Sequence, residues 1–174
     1  GQFIDLSYKV MGQFETSGKL NNTEKAMSAA GISNIRNLVI TSANNVTASH
    51  ERGEIQYDVT IDKASDILKI GKLTAEISQL GNLSVYNGII PFEAEQVMDL
   101  EAKAFLNLEY LKPYLVMLAK FDDTAEIRGL ADSRLKVQSR DGNYKLSTDA
   151  TTIKNFFVKA ADKEYAPPEI SAMI

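Results

Sequence analysis

The stretch Glu54-Ile-Gln-Tyr-Asp-Val-Thr-Ile-Asp62 decides the fold, because apolar and polar residues alternate along its whole length. In an extended chain, Ile55, Tyr57, Val59 and Ile61 would point to one side and the intervening polar residues to the other. Strict period-two alternation is typical of a β-strand with one buried and one solvated face. This segment therefore predicts a half-buried strand in an antiparallel sheet.

The same alternation recurs along the rest of the chain. It is found at Leu6–Phe14, Leu73–Ile77, Leu83–Val85, Ile127–Ala131, Leu135–Val137 and Tyr144–Leu146. Pairs of residues that favour turns lie between the runs, at Ser17-Gly18, Arg52-Gly53, Gly81-Asn82, Asn87-Gly88 and Asp141-Gly142. Of these, Asp141-Gly142 is the strongest hairpin signal, because Asp-Gly readily adopts the positive φ angles of a two-residue turn. The sequence predicts an all-β fold, with a twisted antiparallel sheet and one or two short helices.

Two segments depart from the period of two. In the first, Leu108, Leu111, Leu115 and Leu118 form one apolar stripe and predict a helix near 108–120, with Pro113 in its first turn. The second segment is Asn22–Ala30, which begins with residues that favour helix caps and is followed by Gly31, so a short helix is predicted there as well.

The chain also resembles itself. Asn34-Ile-Arg-Asn-Leu-Val-Ile is similar to Thr152-Ile-Lys-Asn-Phe-Phe-Val, and each follows a strand with a glycine in its middle, Gly12 and Gly129. A recurring unit indicates stacked supersecondary modules. We therefore expect one β domain over residues 1–174, cut from a longer chain, which can be divided into related units of about 5–90 and 97–170.

Composition narrows the function classes. The 174 residues are 44% hydrophobic and 24% charged, with a net charge of −4 and the two signs interspersed. The chain has no basic block to neutralise phosphates, so we expect no nucleic-acid partner. It has no cysteine, which excludes disulfides and thiolate chemistry. No stretch approaches the roughly 20 apolar residues of a membrane span.

Catalytic and metal-binding patterns are lacking as well. The only histidine, His50, lies in a polar run and is expected to be a solvated loop residue. Acidic pairs such as Asp122-Asp123 are typical of solvated turns and sheet edges. Nucleophile elbows, phosphate loops and calcium loops are absent. We therefore expect no enzyme activity, no cofactor and no metal.

Four segments together resemble a known family. They are Ala125-Glu-Ile-Arg-Gly-Leu-Ala-Asp, Asn143-Tyr-Lys-Leu-Ser-Thr, Thr152-Ile-Lys-Asn-Phe-Phe-Val and Ala104-Phe-Leu-Asn-Leu-Glu-Tyr-Leu-Lys-Pro-Tyr-Leu. An alternating strand with an internal glycine, a hairpin, the Ile-x-Asn strand and a strand that runs into a short helix are similar to AsmA-like and TamB-like periplasmic proteins. These belong to the class of bridge-like lipid-transfer proteins.

The resemblance implies a function and a ligand. It implies an open sheet whose apolar groove shields acyl chains of phospholipid or a similar ligand between two membranes. It also implies a periplasmic location, anchorage to the inner membrane by a segment outside this sequence, and adjacent repeats as partners. No catalytic residue is implied. Transferred to this chain, the groove would be lined by Leu6, Tyr8, Val10, Ile55, Tyr57, Val59, Ile61, Leu73, Ile77, Ile127, Leu135, Val137, Tyr144 and Leu146.

The same apolar positions permit other structures. Alternating residues most often face a packed core, so a closed sandwich or a barrel-like pocket stays open beside the groove. Two short helices could shield only part of a sheet of about eight to ten strands. An uncovered apolar face of that size would have to contact something. The alternative function is therefore a structural or adhesive β-repeat module that binds no small molecule.

Overall fold

A computed structural model describes residues 8–93, 97–140, 143–161, 163–167 and 169–172. Its elements, in chain order, are β1 (Tyr8–Asn22), β2 (Ala26–Ser42), β3 (Thr47–Asp62), β4 (Ile67–Ile77), β5 (Gly81–Pro91), β6 (Met98–Asn107), α1 (Leu108–Ala119), β7 (Glu126–Arg140), β8 (Asn143–Ala160), β9 (Lys163–Tyr165) and β10 (Glu169–Ala172). The predicted all-β fold is confirmed. The predicted Asp141-Gly142 turn and Leu6 lie outside the described residues.

The described strands form one antiparallel sheet of ten strands. Neighbours in sequence are neighbours in the sheet from β1 to β8, and both β9 and β10 pair with β8. Among the described strands, β1 and β10 stand at opposite edges and do not pair with each other. The described chain therefore forms an open sheet, with neither a second sheet nor barrel closure.

The register defines one continuous face. A single row of paired residues crosses eight strands: Gly18, Gly31, Tyr57, Leu73, Val85, Ala102, Leu135 and Thr148. Residues that point to the same side as this row form what we call the inner face. Every described strand residue that is buried belongs to it: Ile35, Leu38, Ala48, His50, Ile70, Val85, Gly88, Ala102, Ala104, Gly129 and Ser139.

The opposite, outer face is solvated and carries charged side chains beside exposed apolar ones. Lys69 Nζ lies 3.0 Å from Asp62 Oδ2, and Lys136 Nζ lies 3.0 Å from Glu101 Oε1. The hydrogen bond from Lys69 lowers the pKa of Asp62. Because these side chains are exposed, such pairs contribute little to stability.

Helix α1 has defined ends. The Asn107 side chain accepts a hydrogen bond from the Glu109 amide at 3.1 Å and caps the N-terminus. At the other end, Lys120 adopts a left-handed conformation (φ 54°) and its amide donates to the Leu115 carbonyl. The predicted helix is confirmed, but Pro113 lies in the second turn and not in the first, because the helix already begins at Leu108.

The second predicted helix is wrong. Residues 23–25 form the turn between β1 and β2, and Ala26 already begins a strand that pairs with β1 and β3 on its two sides. Local helix preference is a weak determinant, and pairing with two neighbouring strands overrides it here.

Four predicted turns lie within strands: Ser17-Gly18 in β1, Arg52-Gly53 in β3, and both Gly81-Asn82 and Asn87-Gly88 in β5. Gly18 pairs with Gly31, and Gly31 pairs with Tyr57. A Cβ atom on Gly31 would stand 2.4 Å from the Ser17 carbonyl oxygen and 2.7 Å from the Tyr57 hydroxyl. The glycines thus make room for the Tyr57 side chain, which lies over them on the inner face.

This contact yields a first prediction. Gly31→Ala should lower the free energy of unfolding by about 1–3 kcal/mol, because backbone atoms must move to admit the methyl group. Chemical denaturation would measure the change. Gly71→Ala is the matched control, since its Cβ would meet the nearest atom, the Asp58 carbonyl oxygen, at 3.5 Å. Equal stabilities of the two variants would contradict the account.

The internal repeat has a structural counterpart. The register between β1 and β2 shifts between Met11 and Gln13, opposite Asn37, which has φ of 52°. The register between β7 and β8 shifts between Arg128 and Leu130, opposite Asn155, which has φ of 53°. The same bulge, with glycine on one strand and left-handed asparagine on the next, therefore supports the relation between the two segments.

Candidate functional site

The inner face is apolar and is centred on a small cluster. Ile70, Val85 and Ala102 are buried at its middle. Side chains from the surrounding strands pack against them: Val59, Leu68, Leu73, Ile90, Leu100 and Leu135. This cluster joins five strands, from β3 to β7, and holds the middle of the sheet together.

The predicted groove residues share this face. The described ones occupy inner-face positions on β1 (Tyr8, Val10), β3 (Ile55, Tyr57, Val59, Ile61), β4 (Leu73, Ile77) and β7 (Ile127, Leu135, Val137). By register, Tyr144 and Leu146 of β8 pair with the inner-face residues Ser139 and Val137. The structure brings Val59, Leu73 and Leu135 together at the cluster, whereas Tyr8 and Val10 lie at the edge of the sheet, away from it.

Between the cluster and α1 the inner face is lined by small residues. The row next to the cluster consists of Ile55, Ala75, Leu83, Ala104, Ser133 and Thr151. Leu83 is 39% exposed although its neighbours Ala75 and Ala104 are partly or fully buried. Four of these six side chains are small, and Leu83 is the more exposed of the two large apolar residues in the row.

Helix α1 lies across one end of the inner face. It follows β6 directly, packs against β7 and reaches β3, where Tyr114 meets His50. Twelve helical residues span about 18 Å, which matches the width of the four strand spacings from β3 to β7 at about 4.8 Å each. In the described part of the chain, α1 is the one element that covers this face.

His50 anchors the helix to the sheet. Its Nε2 lies 2.8 Å from the Tyr114 hydroxyl, its Nδ1 lies 3.3 Å from the Ser78 carbonyl oxygen, and the two rings are stacked. Because a carbonyl can only accept, Nδ1 carries the proton and Tyr114 donates to Nε2. Burial raises the pKa of Tyr114, which keeps its hydroxyl protonated as a donor.

The expectation that His50 is a solvated loop residue is wrong. It is 3% exposed and lies in β3 beside Ala48, with both side chains on the inner face. The polar sequence around His50 predicted a loop. In the structure those polar residues point outward and alternate with the buried Ala48 and His50. A weak period of two was the available signal, and nothing in the sequence identified Tyr114 as the partner.

The anchor yields a second prediction. Tyr114→Phe should leave a buried ring nitrogen without a partner and cost about 1–3 kcal/mol. In a chain of this size we expect a melting temperature lower by about 2–4 °C for each kcal/mol. Tyr110→Phe in the same helix serves as control. Equal melting temperatures for the two variants would contradict the role of the His50–Tyr114 bond.

Open cavities also lie elsewhere on the surface. The largest that we describe, of about 670 Å³, lies where β2 and β3 bend and is lined by Asn34, Ile35, Arg36, Asn37, Glu51, Arg52 and Gly53. The described residues contain no cluster of His, Cys, Asp and Glu that could hold a metal ion. They also include no helix that is both long enough and apolar enough to cross a membrane.

The accessible surface is large for the mass. The chain exposes 12,054 Å², whereas a compact monomer of 19.2 kDa exposes about 8,400 Å². The excess is what a single-layer sheet produces, because α1 is the one element of the described chain that covers a face of the sheet.

Comparison with protein-family models, with curated protein sequences and with solved structures found no match to this chain.

Proposed function

We propose that this chain handles lipid, with the inner face shielding acyl chains of a phospholipid or a similar ligand from water. The observation that carries the proposal is a continuous apolar face across eight strands on which α1 is the one covering element described. An apolar surface of that extent requires a partner, and acyl chains match it in chemistry.

The dimensions suit acyl chains. Eight strands span about 34 Å, and an eleven-residue strand such as β4 is about 36 Å long. The hydrocarbon core of a bilayer, two acyl chains thick, is about 30 Å. One extended chain would therefore fit on this face in either direction, with Leu83 and the small residues around it as the contact surface.

The energy would come from burial of apolar area. Each buried methylene contributes about 0.8 kcal/mol, so ten of them would supply about 8 kcal/mol before the costs of association. Because this term is non-directional, we expect the chain to favour acyl-chain contact over any particular head group.

The resemblance to AsmA-like and TamB-like proteins supports the same proposal. On that basis we place the chain in the periplasm, as a segment of an envelope protein held at the inner membrane by a part outside this sequence. Adjacent repeats and phospholipid would be its partners, and the proposal includes no catalysis.

A structural or adhesive repeat module is the second candidate. The shared bulges at Gly12 and Gly129 support it, because repeated units commonly bury their apolar faces against sibling units. Such a module would keep the sheet and bind no small molecule.

The test is direct loading with lipid. Phosphatidylethanolamine carrying a fluorescent acyl chain should gain intensity when titrated with the chain, and native mass spectrometry should show a phospholipid adduct. Absence of both signals, with far-UV circular dichroism that still shows a folded sheet, would overturn the lipid proposal and favour the structural module.

A further inference from the structure

Strand β1 offers a long unpaired edge. It pairs with β2 on one side, and no described strand lies on the other. All of its residues after Tyr8 are exposed. Strand edges of this length expose a row of unpaired N–H and C=O groups and readily add a further strand.

The related strand β7 shows that such a strand can pair on both sides. Gly129 of β7 corresponds to Gly12 of β1, because the two form the same bulge. The side of β7 that corresponds to the free edge is paired with β6 over Leu130–Ser139. The equivalent part of β1 is Gln13–Asn22, directly after its bulge.

The side chains of this segment indicate missing neighbours. Phe14 and Leu20 point to the inner face and are 61% and 72% exposed. Glu15 and Lys19 point to the outer face, and neither has an ion pair within the described chain. The counterpart of Lys19 is Lys136, which lies 3.0 Å from Glu101 on the strand next to it.

The segment is complementary to itself. When two copies of β1 are paired antiparallel about Ser17, Phe14 of each stands opposite Leu20 of the other, and Glu15 stands opposite Lys19. Both kinds of contact occur twice. Residues opposite each other in this register lie on the same face of the joined sheet. The N–H and C=O groups that point away from β2 in one copy meet those of the other copy.

We propose that two copies of this chain associate through the outer edges of their β1 strands, centred on Ser17, to form one continuous sheet. Paired residues would run from Gln13 to Asn21, clear of the bulge at Gly12. In the joined sheet, Phe14 of each copy would pack against Leu20 of the other. The inference is independent of lipid binding, since it concerns the sheet edge.

The test uses charge reversal. Sedimentation velocity of the full chain over a concentration series should show a monomer–dimer equilibrium. Lys19→Glu places two glutamates opposite each other twice and should weaken dimerisation at least about tenfold. Adding Glu15→Lys to Lys19→Glu exchanges the charges and should restore it, while Lys145→Glu on another exposed strand should have no effect.

Two outcomes would overturn the proposal. One is a chain that sediments as a monomer at all concentrations. The other is a dimer that Lys19→Glu does not weaken, or that the double charge exchange does not restore. Hydrogen exchange would locate the contact: amides of Gln13–Asn21 should gain protection in the dimer. If a peptide with the β6 sequence Met98–Asn107 protects these amides instead, in a chain that stays monomeric, the edge of β1 pairs with a β6-like strand and not with a second β1.

Discussion

Leu83→Asp is expected to abolish phospholipid binding by a folded protein. Leu83 is 39% exposed on the inner face, so its replacement removes less buried contact than replacement of a cluster residue such as Ile70, which is 5% exposed. A carboxylate there would have to be desolvated by an acyl chain, at a cost of several kcal/mol. Because each 1.4 kcal/mol is a factor of ten, affinity for the fluorescent phospholipid should fall by more than about a hundredfold.

Ile89→Asp is the matched control for this experiment. Ile89 lies on the same strand, is also 39% exposed and is aliphatic, but it points to the outer face, where it pairs with Lys69 and Asp99. Ile89→Asp should lower the free energy of unfolding about as much as Leu83→Asp does and leave the affinity for phospholipid unchanged. Equal losses of affinity in the two variants, or no loss in either, would contradict binding on the inner face.

The strands themselves could be predicted from the sequence because one face is apolar. In β3 the period of two runs without interruption from Gly53 to Asp62, and the structure keeps it. Which side of β3 is partly buried and which is solvated then follows from the residue types alone. The same reasoning assigned the predicted groove residues of β1, β3, β4 and β7 to one face before any pairing was known, but it selected none from β2, β5 or β6.

A bulge explains why the period-two pattern missed one central inner-face residue, Ile70. Ile70 and Leu73 both point inward although they are three positions apart, because the register between β3 and β4 shifts beside Gly71. A strict period of two places Ile70 on the wrong face. Ile70, one of the three buried residues of the cluster, was therefore absent from the predicted groove, and only strand pairing could reveal its direction.

Glycines misled the turn predictions for a related reason. A Cβ atom on Gly88 would meet Ile70 Cδ1 at 3.3 Å and Leu100 Cδ1 at 3.4 Å. Gly88 lies inside β5 so that these two side chains can approach each other across it. Locally, Asn87-Gly88 has the composition of a turn, and the side chains that require the glycine come from other strands.

The burial of His50 could not be predicted for the same reason. Its two partners, Ser78 and Tyr114, are 28 and 64 residues away along the chain. Local sequence described the polar outward residues of β3 correctly. The contact that buries the histidine depends on where α1 crosses the sheet, which is set by the pairing of β3 through β7.

Ile70→Asp is expected to prevent folding. Ile70 is 5% exposed and contacts the partly buried side chains of Val59 and Leu73 as part of the central cluster. A buried, unpaired carboxylate costs several kcal/mol, which is comparable to the total stability of about 5–15 kcal/mol for a domain. We expect far-UV circular dichroism of the variant to show no cooperative melt, whereas Ile70→Val should cost only about 0.5–1.5 kcal/mol.

Val59→Asp should resemble Ile70→Asp, because Val59 packs on the same cluster. Together with Leu83→Asp, these variants separate the part of the inner face that holds the sheet together from the part that is accessible to a ligand. A cooperative melt of Ile70→Asp near that of the unsubstituted chain would show that the cluster is not a structural core.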